Sequence, residues 1–315
     1  MTATCTLTDC GAGEPVELTM ADYQGAVARW CPGCGDHSVL SAVQRLLEAH
    51  QLAPERTVFV SGIGCSSRFP HYLRTYGFHG IHGRALPVAT GIRLARPDLN
   101  VFAVMGDGDC CSIGAAHWVH AIRYNVDMVA LMLDNNIYGL TKKQTSPTTP
   151  LGFATNTQPR GSYLPPLDPL SVTLGVTNAS FVAQTADWAP QHLYRTLDAA
   201  FRHRGFAFVR VLQRCPVWTS SVFQDLVRDP SRVEILVHDD GIRDESTESV
   251  HTHHVEHDPG DIDAARRLAE EGGTRLGLFF RDPERPRYDA TRRLPPYTPA
   301  DRIAVLEREF DRHAV

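Results

Sequence analysis

Apolar residues fall along this chain in short unbroken runs, and the segments between those runs carry them at helical spacing. Residues 101–105 (VFAVM) and 128–133 (MVALML) are continuous apolar runs of strand length. Between them, residues 112–124 place apolar side chains three and four apart, so the whole segment predicts a βαβ unit. Further strands are predicted at 57–60 and 206–212. Helices are predicted at 37–50 behind Asp36, at 84–95, and at 188–203 behind Asp187, with Asp as a favoured helix-capping residue. The pattern implies an α/β class: a parallel sheet with helices on both faces. No internal repeat is present.

The pattern weakens elsewhere. Pro and Thr crowd residues 145–166 and predict a long surface loop of the length that is commonly functional. Residues 239–315 are richer in charge, with one short strand predicted at 276–280 and a helix at 299–310. Within them HTHHVEHD carries His251, His253, His254 and His257, and its acidic surroundings predict a solvated connector rather than a metal site. The expected organisation is a tail at 1–20, an α/β domain at 21–238 and a C-terminal extension at 239–315.

Net charge is −5, from 31 basic and 36 acidic residues without a basic cluster, which argues against nucleic acid as a partner. No apolar stretch is long enough to span a membrane and the first residues form no hydrophobic signal segment, so a cytoplasmic protein is expected.

Chemistry enters where the βαβ unit ends its strands. Gly106, Asp107 and Gly108 follow the first strand and Asn135 follows the second, with 26 residues between Gly108 and Asn135. Loops at the carboxyl ends of parallel strands are where such sheets bind ligands. Asp107 and Asn135 offer hard oxygens suited to magnesium, while the glycines let a diphosphate approach the backbone. The following helix adds free N–H groups, with Asp109 expected as its cap. The plainer reading is a strand turn followed by an Asx turn, and the triplet alone does not exclude it.

Cysteine supplies a second constellation. Among eight cysteines, Cys31 and Cys34 form a Cys-x-x-Cys pair, and Cys65 and Cys215 each follow a predicted strand. In a reducing compartment such a pair points to metal or redox chemistry. No second close pair follows at zinc-ribbon spacing. Four thiolates from one turn and two strand ends can instead hold a cubane iron–sulfur cluster. Cys110 and Cys111 read as small buried residues, and Cys5 and Cys10 fall in a tail predicted to be mobile.

The spacing from GDG to the asparagine pair resembles that of thiamine diphosphate enzymes. WCPGCG, GIGCSSR, GFHGIHGRALPVATG, VMGDGD, DNNIYGLT and the late CP, in that order, resemble the β subunits of the 2-oxoacid:ferredoxin oxidoreductases. The likeness runs from residue 30 to about 220. It implies a thiamine diphosphate-binding fold of the diphosphate type with a C-terminal extension. Its cofactors would be thiamine diphosphate, Mg2+ held by Asp107, Asn135 and the Ile137 carbonyl, and one [4Fe-4S] cluster on Cys31, Cys34, Cys65 and Cys215. Cofactor contacts are implied at Ile63, Gly64, Cys65, Ser66, His82, Gly83, Arg84, Ala85, Gly106, Gly108, Asp109, Gly139 and Leu140.

The activity implied is coenzyme A-dependent oxidative decarboxylation of a 2-oxoacid with electrons passed to ferredoxin. Arg68 and Leu140 match substrate-pocket positions, and an Arg68 guanidinium suits a dicarboxylate, so 2-oxoglutarate is favoured over pyruvate. Relatives usually carry glycine at Lys143, so the loop after the metal site is expected to differ. The family keeps its pyrimidine-binding domain on an α subunit, which implies an incomplete catalyst that works with that partner, as (αβ)2. Two other classes remain. A non-redox thiamine decarboxylase half would need no cysteine set, and an iron–sulfur scaffold would have no use for Asp107 and Asn135.

Overall fold

The computed structural model describes residues 17–291 and 298–313. Cys5, Cys10 and most of the expected tail lie outside them.

Strands β1 (Thr57–Ser61), β2 (Tyr76–His79), β3 (Asn100–Gly106), β4 (Met128–Asp134), β5 (Phe181–Ala186), β6 (Phe206–Leu212), β7 (Val233–Val237), β8 (His253–Glu256) and β9 (Thr274–Arg281) form one sheet in the order β2-β1-β3-β4-β6-β5-β9-β7-β8. The first six in that order are mutually parallel. β9 runs antiparallel to β5 and carries β7 and β8 with it.

The continuous apolar runs occur because the central strands are buried on both faces, as parallel strands under two helical layers must be. Val101, Ala103, Met105, Met128, Ala130 and Met132 pack to one side. Phe102, Val104, Val129, Leu131 and Leu133 pack to the other. The first side is covered by α2 (Ala85–Ala95), α3 (Ala115–Tyr124), α4 (Pro169–Gly175) and α6 (Ile262–Glu270). The second is covered by α1 (Asp36–Ala49) and α5 (Pro190–Arg202). The expected α/β class with helices on both faces is what forms.

Several local expectations are corrected. The helix predicted at 112–124 is split: a π-helical turn covers Asp109–Ile113 and regular helix begins only at Ala115. Asp36 is the first residue of α1, with Gly35 in the capping position, and its carboxyl is fully buried beside the Cys34 thiol. Asp187 does not cap α5, which starts at Pro190 behind Ala189. Its carboxylate instead meets Arg214 at 3.0 Å and presses on Gly35, where a Cβ would lie 1.9 Å from its Oδ2.

The histidine stretch is not a solvated connector. It contributes β8, with His257 buried and bonded through Nε2 to the Phe279 carbonyl at 2.6 Å, and with His251 buried against Pro230 O at 3.0 Å. These histidines read as linker because β8 is a four-residue edge strand whose polar residues face solvent. The helix near the chain end runs Pro299–Arg312 behind a Thr298–Asp301 capping box.

Two buried imidazoles make the fold sensitive to acid. His203 donates Nε2–H to Ser180 Oγ (2.9 Å), and His192 takes the Thr185 hydroxyl on Nδ1 (2.9 Å). Burial lowers both from the usual 6.5 to about 4. Between those values the unfolded chain binds protons that the folded chain refuses, so the stability that depends on these two rings is complete above pH 6.5 and is lost as pH falls toward 4. Each ring accounts for a loss on the order of 3 kcal/mol. Urea unfolding from pH 7 to 4 should show this decline, and His203→Asn should flatten it; an unchanged slope would exclude His203 as a source.

Candidate functional site

Parallel register brings the carboxyl ends of β1, β3, β4 and β6 to one edge of the sheet. Gly106 pairs with Leu133 and Asp134 with Leu212, so the loops after β3, β4 and β6 leave side by side. A cleft of about 630 Å3, counting its open mouth, lies between them. That is within the range usual for cofactor sites, ~300–1,000 Å3.

Its walls hold most of the residues expected from sequence. Ile63, Gly64, Cys65 and Ser66 line it from the β1 loop, with Gly106, Asp107, Gly108 and Asp109 from β3. Asn135, Ile137, Gly139 and Leu140 come from the β4 loop, and His82 completes the set. Gly83, Arg84 and Ala85 do not line it. Gly83 and Ala85 are buried behind it, and Arg84 directs its guanidinium to the carbonyls of Gly83 (3.2 Å) and Ile113 (3.4 Å). A wider cleft at the opposite end of the strands, lined by Arg195, Arg204, Arg281 and Asp240 among others, contains none of the expected residues.

Asp107 is 2% exposed and adjoins Asp134, which is fully buried. Burial and the Asp134 charge both push the Asp107 carboxyl above the usual carboxylate range. Arg210 sits on Asp134 at 2.7 Å, whereas among the described residues Asp107 has no cationic partner. The Asp107 carboxyl therefore favours its proton, and a divalent cation with oxygen ligands would take that proton's place. Asn135 also forms the Asx turn of the plainer reading, accepting Ile137 N–H at 3.2 Å.

Asp109 is a junction rather than a helix cap. Its Oδ1 accepts from His82 Nδ1 (2.5 Å), Gly83 N (2.6 Å) and Ile63 N (3.3 Å), which ties the loop after β1 to the turn before α2. The π-helical turn that carries it buries this carboxylate, and burial raises its pKa. Such turns are rare and occur often at functional sites. Gly108 makes room for Tyr138, whose hydroxyl donates to the Gly108 carbonyl at 3.0 Å.

Sequence reasoning missed the long loop's part in the site. Thr148 and Thr149 are buried, and Thr148 Oγ1 reaches Asp107 Oδ2 at 2.7 Å while Thr149 Oγ1 donates to Asn136 O at 2.7 Å. Thr219 from the β6 loop donates to Asn135 O at 2.9 Å. The only signal was Thr crowding in a loop, which by itself does not separate surface from site.

The cysteine set is assembled from three segments. Gly35 N–H donates to Arg214 O at 3.0 Å, Gln213 Nε2 reaches Cys34 Sγ at 3.3 Å, and Trp30 Nε1 donates to Cys65 O at 2.7 Å. Burial pushes the Cys65 thiol up to about 12, with Asp36, Cys215 and Cys31 contributing, and it drives Cys34 higher still in the field of Asp36, Cys215 and Cys65. Among the described residues no three His, Cys, Asp or Glu side chains converge closely enough for a single ion. A multi-iron cluster spreads its ligands more widely. Cys110 and Cys111 are buried, as expected, and Cys111 Sγ lies 3.4 Å from Met132 Sδ.

Arg68 and Leu140 line a second cleft that shares Ile63, Gly64 and Leu140 with the first. Arg29, His71 and His79 also line it, and no acidic side chain does. Arg68 packs 5.6 Å from the Tyr72 ring centre and, among the described residues, makes no ion pair. Lys143 directs its ammonium to the Phe153 ring at 5.3 Å.

Comparison with known proteins defines the class first. The family described as "Thiamine pyrophosphate enzyme, C-terminal TPP binding domain" matches residues 62–211. The chain is 37% identical over 281 residues to 2-oxoacid:ferredoxin oxidoreductase 1, subunit beta, of Aeropyrum pernix, covering 86% of this chain and 83% of that one. It is 48% identical over 208 residues to 2-oxoglutarate oxidoreductase subunit KorB of Mycobacterium tuberculosis, covering 66% of this chain but only 56% of that relative's length. A solved 2-oxoglutarate:ferredoxin oxidoreductase from Magnetococcus marinus, with 2-oxoglutarate, coenzyme A and succinyl-CoA bound, superposes with TM-score 0.77 at 34% identity, covering 94% and 92% of the two chains. The chain belongs to the β subunits of the 2-oxoacid:ferredoxin oxidoreductases.

A Cβ on Gly108 would lie 2.2 Å from the Tyr138 ring. Gly108→Ala should therefore expel that ring and break its bond to the turn, costing about 1–3 kcal/mol. Chemical denaturation with Tyr138→Phe as reference reads the loss; a variant as stable as wild type would mean the ring is free to move.

Proposed function

We propose that this chain is the thiamine-binding subunit of a coenzyme A-dependent 2-oxoglutarate:ferredoxin oxidoreductase. The products are succinyl-CoA and carbon dioxide, and electrons pass through one [4Fe-4S] cluster to ferredoxin. The observation that carries this reading is Cys65, which lines the cleft of Asp107 and Asn135 while its carbonyl is bonded to Trp30 beside the Cys31–Cys34 turn, itself tied through Gly35 and Gln213 to the segment before Cys215. A decarboxylase half has no use for that junction, and a scaffold has no use for the cleft.

Thiamine diphosphate, when bound, supplies the electron sink for decarboxylation. Asp107, Asn135 and the Ile137 carbonyl hold its magnesium, and Gly106 and Gly108 admit the diphosphate. Ile63, Gly64, Ser66, His82, Asp109, Gly139 and Leu140 form the rest of the cofactor wall. Cys31, Cys34, Cys65 and Cys215 bind the cluster as thiolates, which for Cys34 and Cys65 means shedding protons that burial favours.

Arg68 takes a substrate carboxylate through paired N–H bonds, in a cleft free of competing acids, with Leu140 as an apolar wall. No glutamate lines the cofactor cleft among the described residues. This supports an α subunit that brings the aminopyrimidine partner, in an (αβ)2 assembly in the cytoplasm. No helix among the described residues is long and apolar enough to cross a membrane.

Anaerobic co-purification with the α subunit, followed by a 2-oxoacid panel with coenzyme A and ferredoxin, tests the activity. 2-Oxoglutarate should be preferred and about four irons should be found per β chain. A preference for pyruvate would overturn the substrate, and bound zinc would overturn the cluster.

Asp107→Ala should lose thiamine diphosphate while keeping iron, because the buried cation site forfeits several kcal/mol; unchanged cofactor content would refute the metal assignment. Cys215→Ser should lose the cluster's visible absorbance and iron. A wild-type spectrum in that variant would show that the fourth ligand lies elsewhere.

A further inference from the structure

Thr148 stands between the two buried carboxylates, with Oγ1 at 2.7 Å from Asp107 Oδ2 and 2.8 Å from Asp134 Oδ1. A hydroxyl has one proton to donate and a carboxylate about four acceptor positions. Asp134 is supplied without Thr148. Its Oδ1 accepts from Asn136 N (3.1 Å) and Nδ2 (2.9 Å), and its Oδ2 takes Arg210 Nε (2.9 Å) and Nη2 (2.7 Å). Asp107 has no cation among the described residues, and its side-chain donors are the hydroxyls of Ser146 and Thr148. The Thr148 proton therefore does more at Asp107.

The surroundings fix Thr148 where it can act. Ser146 N–H donates to Thr149 Oγ1 at 2.8 Å, and Thr149 Oγ1 donates to Asn136 O, so the segment 146–149 is stitched to the tip of β4. At the far end of the loop, Asp168 caps α4 through Leu170 N (3.0 Å) and lies 3.4 Å from the same Arg210 guanidinium. Both ends of the loop thus converge on Asp134. Thr148 itself is 3% exposed and β-branched, which limits its rotamers.

We propose that Thr148 is a positioning residue for the metal site: its hydroxyl orients the Asp107 carboxylate toward the cation, braced from behind by Asp134 and Arg210. This rests on the reading of Asp107 as a magnesium ligand. Groups that orient metal ligands typically change metal affinity about 10–100-fold when lost. Thr148→Val keeps the shape and removes the hydroxyl, whereas Thr148→Ser keeps the hydroxyl.

The test uses the full chain co-purified with its α subunit, freed of divalent cations and thiamine diphosphate, then titrated with Mg2+ at fixed thiamine diphosphate. Retained cofactor and near-ultraviolet circular dichroism report binding, with iron content and thermal midpoint followed alongside. Thr148→Val should raise half-saturating Mg2+ by about 10–100-fold, while Thr148→Ser binds like wild type and both retain iron. Equal Mg2+ dependence in Val and wild type would overturn the proposal, as would a Ser variant as impaired as Val. If Val fails to fold, Thr148→Ala against Thr148→Ser decides by the same criterion. Cofactor binding by wild type that needs no divalent cation would instead overturn the Asp107 reading, and this one with it.

Discussion

One buried carboxyl that has no cationic partner among the described residues governs the carboxyl edge of the sheet. Register sets Asp107 and Asp134 at the tips of neighbouring parallel strands, both buried, and the Arg210 guanidinium pairs with Asp134. An isolated buried carboxylate is among the least favourable groups a fold can hold. The turn glycines, the Asx turn at Asn135 and the threonines of the long loop are arranged around that imbalance. A hard cation and the anion that travels with it would relieve it.

The thiols depend on the same loops. Cys65 follows β1, Cys215 follows β6, and Cys31 and Cys34 precede α1. Trp30 is bonded to the Cys65 carbonyl, and Gly35 to Arg214. These bonds cross between segments distant in sequence, so the cysteine pair cannot shift without moving the β1 and β6 loops. Asp187 wedged against Gly35, with Arg214 as its counterion, locks the third side.

The central fold was legible because its strands are buried on both faces and so form unbroken apolar runs, as at 101–105 and 128–133. The peripheral strands β2 and β8 were not, since they lie at sheet edges with polar, exposed residues such as His79 and His253. β5 (FVAQTA) is buried along its whole length, yet Gln184 and Thr185 break its apolar run, with Gln184 Nε2 donating to Arg275 O across the sheet. At the site, the residues expected at strand ends reach one cleft because parallel topology requires it. Asp109 was misread because a π-helical turn has no clear sequence signature. Thr148 and Arg210 were invisible because their partners are 14 and 76 residues away from them, along Asp134.

Lys142 and Lys143 both adopt left-handed backbone conformations, at φ 74° and 67°. Residues with a side chain enter that region at a cost of roughly 1–2 kcal/mol each. Lys143 returns some of this by stacking on Phe153, and Asn156 fastens to the Lys142 carbonyl. The bend after β4 is thereby riveted to the middle of the long loop. A floppier pair of residues here would fold more easily but would let bend and loop drift apart, so the chain trades local ease for a single rigid rim.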